Sequence, residues 1–174
     1  ATICACIGRV DDGRVHLFGS SVVATDGVER GAIVDERRLA SAVARALDQV
    51  EQMSNMRSEK RVVLGVGGAF VGGWPGAAGT DLQFGPLAKF VRGLGLHVEH
   101  VVPTAQAAAR AVLLPAERTR TAAVVDIGEE SSDVVFFRDG GAVLHAVVPV
   151  GGRHVTHDIA YGPGVSVAEA EQLK

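Results

Sequence analysis

The segment VVDIGEESSD, residues 124–133, concentrates polar chemistry in one short stretch. Asp126 falls at the end of an apolar, strand-like run, Gly128 supplies a tight turn, and Ser131, Ser132 and Asp133 stand where a second strand begins. A loop of this kind aims backbone amides and hydroxyls at a phosphate, while a carboxylate at the strand end holds a magnesium ion through water. The same residues also make an ordinary hairpin with a polar turn, and the segment by itself fits both readings. Other polar groups point to less. On a strand, His97 and Glu99 share a face while His100 lies opposite, so they are expected at a solvated edge. His154 and His157, three apart at a helix start, make a weaker metal case. No CxxC pair, Walker loop or Ser, His and Asp set stands out, so any enzymatic chemistry expected of the chain is nucleotide hydrolysis.

The elements that must position this loop can be read from punctuation and period. Residues 1–10 and 14–23 are runs rich in Val and Ile joined by Asp11, Asp12 and Gly13, which predicts an antiparallel hairpin. Asp35 is placed to cap a helix of about 18 residues whose apolar positions Leu39, Val43, Leu47 and Val50 recur at helical spacing. Residues 61–66 read as a strand buried on both faces. Residues 67–80, rich in Gly and Ala and holding the sole tryptophan, Trp74, read as a connection.

Pro86 opens a helix ended by Gly93 and Gly95, residues 96–102 form the next strand, and Thr104 is placed to cap an Ala-rich helix reaching about Leu114. A buried strand over 122–126, a second over 133–138 and a third ending near Val150 follow, the last two joined by Asp139, Gly140 and Gly141. Helices close the sequence, the final one opened by Ser166 and Glu169 at capping-box spacing. Strand, Asp-Gly turn, strand and helix thus occur twice, which predicts a duplicated unit.

Composition narrows the class. The chain has 174 residues, 47% hydrophobic and 21% charged, as in a globular protein of one ordinary domain or two small ones. A net charge of −3 gives no global drive toward nucleic acid or acidic lipid. No run approaches the roughly 18 apolar residues of a membrane span, and no signal peptide is apparent. Cys4 and Cys6 alternate on one strand face, which predicts buried thiols in a reducing cytoplasm. The first residue is not Met and the last segment is still helical at Lys174, so both ends are expected to have been cut from something longer.

With its surroundings the segment VVDIG (124–128) resembles the actin, sugar-kinase and heat-shock chaperone superfamily, whose second phosphate loop reads DIGGGTTD. More narrowly, GVERGAIVD (27–35), VPVGGRHVTHDIAYG (148–162) and AEAEQLK (168–174), in that order, resemble bacterial actin relatives of the FtsA cell-division type. The resemblance implies an α/β fold of actin-like, ribonuclease-H-like architecture: mixed sheets flanked by helices in two incomplete duplicated domains, residues 1–120 and 121–174. It also implies ATP held with magnesium between two domains, self-association into filaments on the membrane, and recruitment of the tubulin-like ring protein FtsZ. Membrane attachment would come through segments absent from this chain, and the location would be the cytoplasm, at the inner face of the cell membrane.

Residue by residue, the resemblance makes Asp126 the magnesium-associated aspartate, and Gly128, Ser131 and Ser132 the phosphate loop. Gly151 and Gly152 match the glycines before a nucleotide-facing helix, and Glu171 and Lys174 match an adenosine-side pair. That pair equally reads as a solvated helix surface. Three departures shape the expectations. Glu129 and Glu130 stand where the family has small residues, and two carboxylates beside a phosphate would repel it. The family's first strand and first phosphate loop are not found before Ala1, nor its later adenosine loop after Lys174, so this chain alone is expected to be inactive as an ATPase. The family's inserted subdomain after Gly68 is replaced by the short Gly-rich connection. The rival readings are a pilus-assembly scaffold of the PilM type and a nucleotide-free protein-binding module.

Overall fold

A computed structural model describes residues 1–29, 31–58, 60–70 and 85–174. Trp74 and most of the Gly-rich connection lie outside the described residues. The chain divides into two compact units: residues 1–63 with 85–100, and residues 64–84 with 101–174.

In the first unit, β1 (Thr2–Asp11) and β2 (Arg14–Ala24) pair antiparallel. They are joined by Asp12 and Gly13 at φ 49° and 73°, the left-handed pair that a tight hairpin turn requires. Two short strands, β3 (Val28–Glu29) and β4 (Ala32–Ile33), lead to α1 (Glu36–Ser54). Asp35 caps α1 as the sequence predicts, its carboxylate accepting the Arg38 amide at 3.0 Å. Gly27 is needed here because a Cβ would lie 2.6 Å from the Leu39 nitrogen. The core of the unit forms where Ala42 and Ala46 of α1 meet Val23, with Ile3 and Ala5 packed alongside. Ser21, buried in the same layer, donates its hydroxyl to the Ala46 carbonyl at 2.7 Å.

Cys4 and Cys6 depart from expectation: both are exposed free thiols. The helix covers one sheet face, and the buried Gly19, Ser21 and Val23 pair with Ile7, Ala5 and Ile3, leaving the cysteines on the other face. Helix α2 (Pro86–Gly93) also belongs to this unit and ends before Gly95 at φ 82°. Strands β5 (Arg61–Val66) and β6 (His97–Pro103) pair with each other and each runs from the first unit into the second. β5 is not covered on both faces as predicted; its burial alternates and Val63 is 61% exposed.

The second unit holds a short 3-10 turn at Gly68–Phe70, then α3 (Thr104–Val112) and the short α4 (Pro115–Arg118). An antiparallel sheet follows in the order β7 (Ala122–Ile127), β8 (Ser132–Arg138), β9 (Gly141–Val148). Thr104 is not the cap of α3. Pro103 holds that position without a side-chain bond, and the Thr104 side chain instead lies against Gly65 and Gly67 at the end of β5. One face of the sheet packs Val135 and Phe137 onto Ala105 and Ala109 of α3. β7 is correspondingly half-buried rather than buried, with Ile127 70% exposed.

Asp139 and Gly140, at φ 53° and 82°, repeat the turn geometry of the first hairpin. Each hairpin also carries one register shift, at Ile7/Gly8 and at Phe136/Phe137. Helices α5 (Gly152–Tyr161) and α6 (Val167–Leu173) end the chain, α6 opened by the reciprocal Ser166 and Glu169 bonds that their spacing predicts.

Candidate functional site

The candidate loop lies within the second unit, between β7 and β8. Asp126 occupies the last register but one of β7 before the turn, half-buried and directly opposite Asp133. Gly128 closes the loop by donating its amide to the Ser131 carbonyl at 2.9 Å. Ser131 sits beside Gly68, where a Cβ would lie 2.7 Å from the Ser131 hydroxyl. Ser132 turns its hydroxyl to the Val150 carbonyl at 2.7 Å, tying β8 to the stretch that leads into α5.

The loop and the start of α5 are locked together through the backbone. The Gly152 and Arg153 amides, which begin the helix, donate to the carbonyls of Gly128 and Glu129, each at 2.8 Å. Gly151 is glycine because the loop approaches so closely that a Cβ would lie 2.5 Å from the Gly128 oxygen and 2.7 Å from the Glu129 oxygen. His154 accepts the Gly151 amide through Nδ1 at 3.1 Å and so completes the helix start. At Gly151 the close approach is therefore made by the loop itself.

Glu171 and Lys174 reach the same turn from α6. Lys174 Nζ lies 2.7 Å from Glu171, donates to the Thr156 hydroxyl at 3.0 Å and reaches the Gly152 carbonyl at 3.4 Å. Thr156, 2% exposed, also contacts Glu171 Oε2 at 2.5 Å. The Lys174 ammonium, and then the Thr156 hydroxyl, hold the Glu171 carboxyl below the ordinary glutamate range. The pair is thus an α5–α6 contact built on Thr156, with Glu171 still exposed to solvent. Gly128, Gly151, Gly152 and Lys174 thus meet at the first turn of α5 and Glu171 joins them through Thr156, while Asp126 stays on β7 opposite Asp133 and Ser131 lies beside Gly68.

Arg153 and His145, which the sequence reading did not single out, complete the site. Arg153 pairs with Glu129 and with Glu130, each at 2.9 Å. Asp133 and His145 are both buried and meet at 2.7 Å, and the second Asp133 oxygen accepts the Gly68 amide at 3.2 Å. His145 Nδ1 is buried without a partner, so a neutral ring that donates from Nε2 is the form that leaves no donor stranded. A lone histidine in the apolar run GAVLHAVV signals a buried polar group in need of a partner; nothing in spacing names Asp133 as that partner. His97, Glu99 and His100 are exposed on β6, where Glu99 pairs with Arg61 at 3.3 Å. Among the described residues no group of three or more acidic, His or Cys side chains is arranged to hold a metal ion.

Residues 123–174, which carry the loop, α5 and α6, match the family model of the cell division protein FtsA. The chain is FtsA-like. It is 34% identical over 88 residues to FtsA of Pseudomonas aeruginosa, a match covering 51% of this chain and 21% of that protein. To FtsA of Escherichia coli K12 it is 37% identical over 89 residues, again 51% of this chain and 21% of the relative. The matching stretch is thus about a fifth of the length of these curated relatives.

The fold of this FtsA-like chain is actin-like. The ethanolamine utilization protein EutJ of Carboxydothermus hydrogenoformans superposes with a TM-score of 0.70 at 22% identity, covering 100% of this chain and 57% of that one. The MreB5 protein of Spiroplasma citri bound to ADP superposes at 0.62 and 19% identity, over 89% of this chain and 44% of that one. A chain of the PilM–PilN type IV pilus biogenesis complex does so at 0.69 and 14% identity, over 99% and 66%. Among the described residues no helix is long and apolar enough to cross a membrane.

Proposed function

We propose that this FtsA-like chain works in cell division as an ATP-binding assembly protein that self-associates and links the FtsZ ring to the membrane. The observation that carries the nucleotide part is the meeting of the loop, Gly151 and Gly152 at the start of α5, and Lys174, with Glu171 beside it on Thr156. The donor set fits a magnesium nucleotide. Asp126 is a half-buried carboxylate at a strand end, suited to hold magnesium through water. The Ser131 hydroxyl and the loop amides of residues 129–131 would be the donors for phosphate, on a turn that Gly128 and Ser132 fix through their own bonds. Gly151 and Gly152 let the loop seat on α5, and Glu171 and Lys174 serve the adenosine side. The bound magnesium nucleotide supplies a hydrolysable phosphoanhydride and a shape that reports its own state. The chain binds and orients it.

A second reading, a nucleotide-free module that binds partner proteins, draws on one specific observation. The first two amides of α5 already donate to loop carbonyls, so the helix start is satisfied without a ligand. Equilibrium titration with magnesium-ATP separates the readings: saturable binding lost in Asp126→Ala supports the nucleotide, and identical flat titrations support the module. Cosedimentation with FtsZ polymers tests the partner, and loss of cosedimentation relative to a control protein's background would remove it.

A further inference from the structure

The segment 126–133 holds four carboxylates, those of Asp126, Glu129, Glu130 and Asp133, and no Lys or Arg. Taken alone it should exclude a polyphosphate. Arg153, in the first turn of α5, changes that charge balance. Its NH2 lies 2.9 Å from Glu129 and its NH1 2.9 Å from Glu130, so one planar guanidinium spans both side chains.

The position is otherwise a poor one for an arginine. It lies in the first turn of a ten-residue helix, where the macrodipole favours anions over cations. The two ion pairs themselves add little to stability, since the Arg153, Glu129 and Glu130 side chains are 47%, 62% and 35% exposed. The seating of the loop on α5 does not need the side chain either, because the backbone bonds from Gly152 and Arg153 make it.

We propose that Arg153 is a specificity-determining residue of the candidate phosphate loop: it draws Glu129 and Glu130 toward α5, offsets one of their two negative charges, and so eases the approach of a nucleotide's phosphates to a loop that would otherwise repel them. The inference rests on the nucleotide reading above and deepens it. Arg153 acts through the two glutamates, so it is a positioning residue and its effect depends on their presence.

The test is a double-mutant cycle read by calorimetric titration of the chain with magnesium-ATP. Arg153→Gln is expected to weaken binding about tenfold or more in the native loop. In the Glu129→Gly, Glu130→Gly loop the same substitution should change affinity less than about twofold. Arg153→Lys, which keeps the charge but not the fork, should fall between. Thermal melting of each variant should stay within a few degrees of the parent, because the pairs are exposed. Equal losses in both loops would overturn the inference and leave the nucleotide reading standing, as would no loss in the native loop. Absence of binding by every variant, the two-glycine loop included, would overturn both.

Discussion

The Gly152 amide donates to the Gly128 carbonyl at 2.8 Å, and this bond makes the loop after β7 and the start of α5 one structural piece. Gly128 and Gly152 are 24 residues apart in the chain, yet each fixes where the other can be.

Gly151 is where that contact is most sensitive. A Cβ there would lie 2.5 Å from the Gly128 oxygen, which is backbone and cannot swing aside. Gly151→Ala should therefore destabilise the chain by about 1–3 kcal/mol. Gly152→Ala should cost little, because its nearest neighbour is the flexible Lys174 Nζ at 3.3 Å and alanine favours the helix. Urea unfolding of the two variants measures the difference, and equal midpoints would contradict it.

The buried Asp133–His145 pair anchors the other side of the loop. Asp133→Ala strands His145 Nε2 and the Gly68 amide together and should cost about 3 kcal/mol. Asp133→Asn keeps the shape and part of the bonding, so it should cost distinctly less. Denaturant midpoints again decide, and an Asp133→Ala protein as stable as the parent would show that the pair does not hold the sheet.

Acid should act on Glu171, Glu169 and Glu51, whose carboxyls lie below the ordinary glutamate value of 4.5 in the folded chain. Lys174 and Thr156 lower the first, the Ser166 hydroxyl and amide the second, and the Ser58 amide the third. A carboxyl depressed on folding contributes its stability above the unfolded value and loses it as pH falls through the folded one, so acid weakens the fold below about pH 4.5. Carboxyl carbon NMR should show Glu171 titrating low, and Lys174→Met should move it back up. An unmoved titration would separate Glu171 from Lys174.

Both cysteines should react with Ellman's reagent in the native protein without unfolding, because Cys4 and Cys6 are exposed on the sheet face away from α1. Reaction only after denaturant would restore the buried expectation.

The contrast between these cysteines and the turns shows what the sequence could and could not reveal. Asp12–Gly13 and Asp139–Gly140 announce their hairpins because left-handed backbone selects those residues locally, and Asp35 and Ser166 announce helix starts for an equally local reason. Which face of β1 is covered is not local. Cys4 and Ile3 differ only by one step of the strand period, and the choice is made by Ala42 and Ala46 of α1 arriving on one side. The site divides the same way. Asp126, Gly128 and Ser131 were legible as a loop, while Arg153, Thr156 and His145 were not. Their roles arise from partners 24, 15 and 12 residues away, for which no spacing rule exists.

The central claim, that the loop, the α5 start and the Glu171–Lys174 pair form one nucleotide site, is tested most directly by two-dimensional amide NMR during titration with magnesium-ATP. The account expects saturable shifts at residues 126–132, 151–156 and 171–174, with the β1–β2 hairpin unmoved and the shifts abolished in Asp126→Ala. Shifts centred elsewhere, or a spectrum that does not change at millimolar nucleotide, would contradict it.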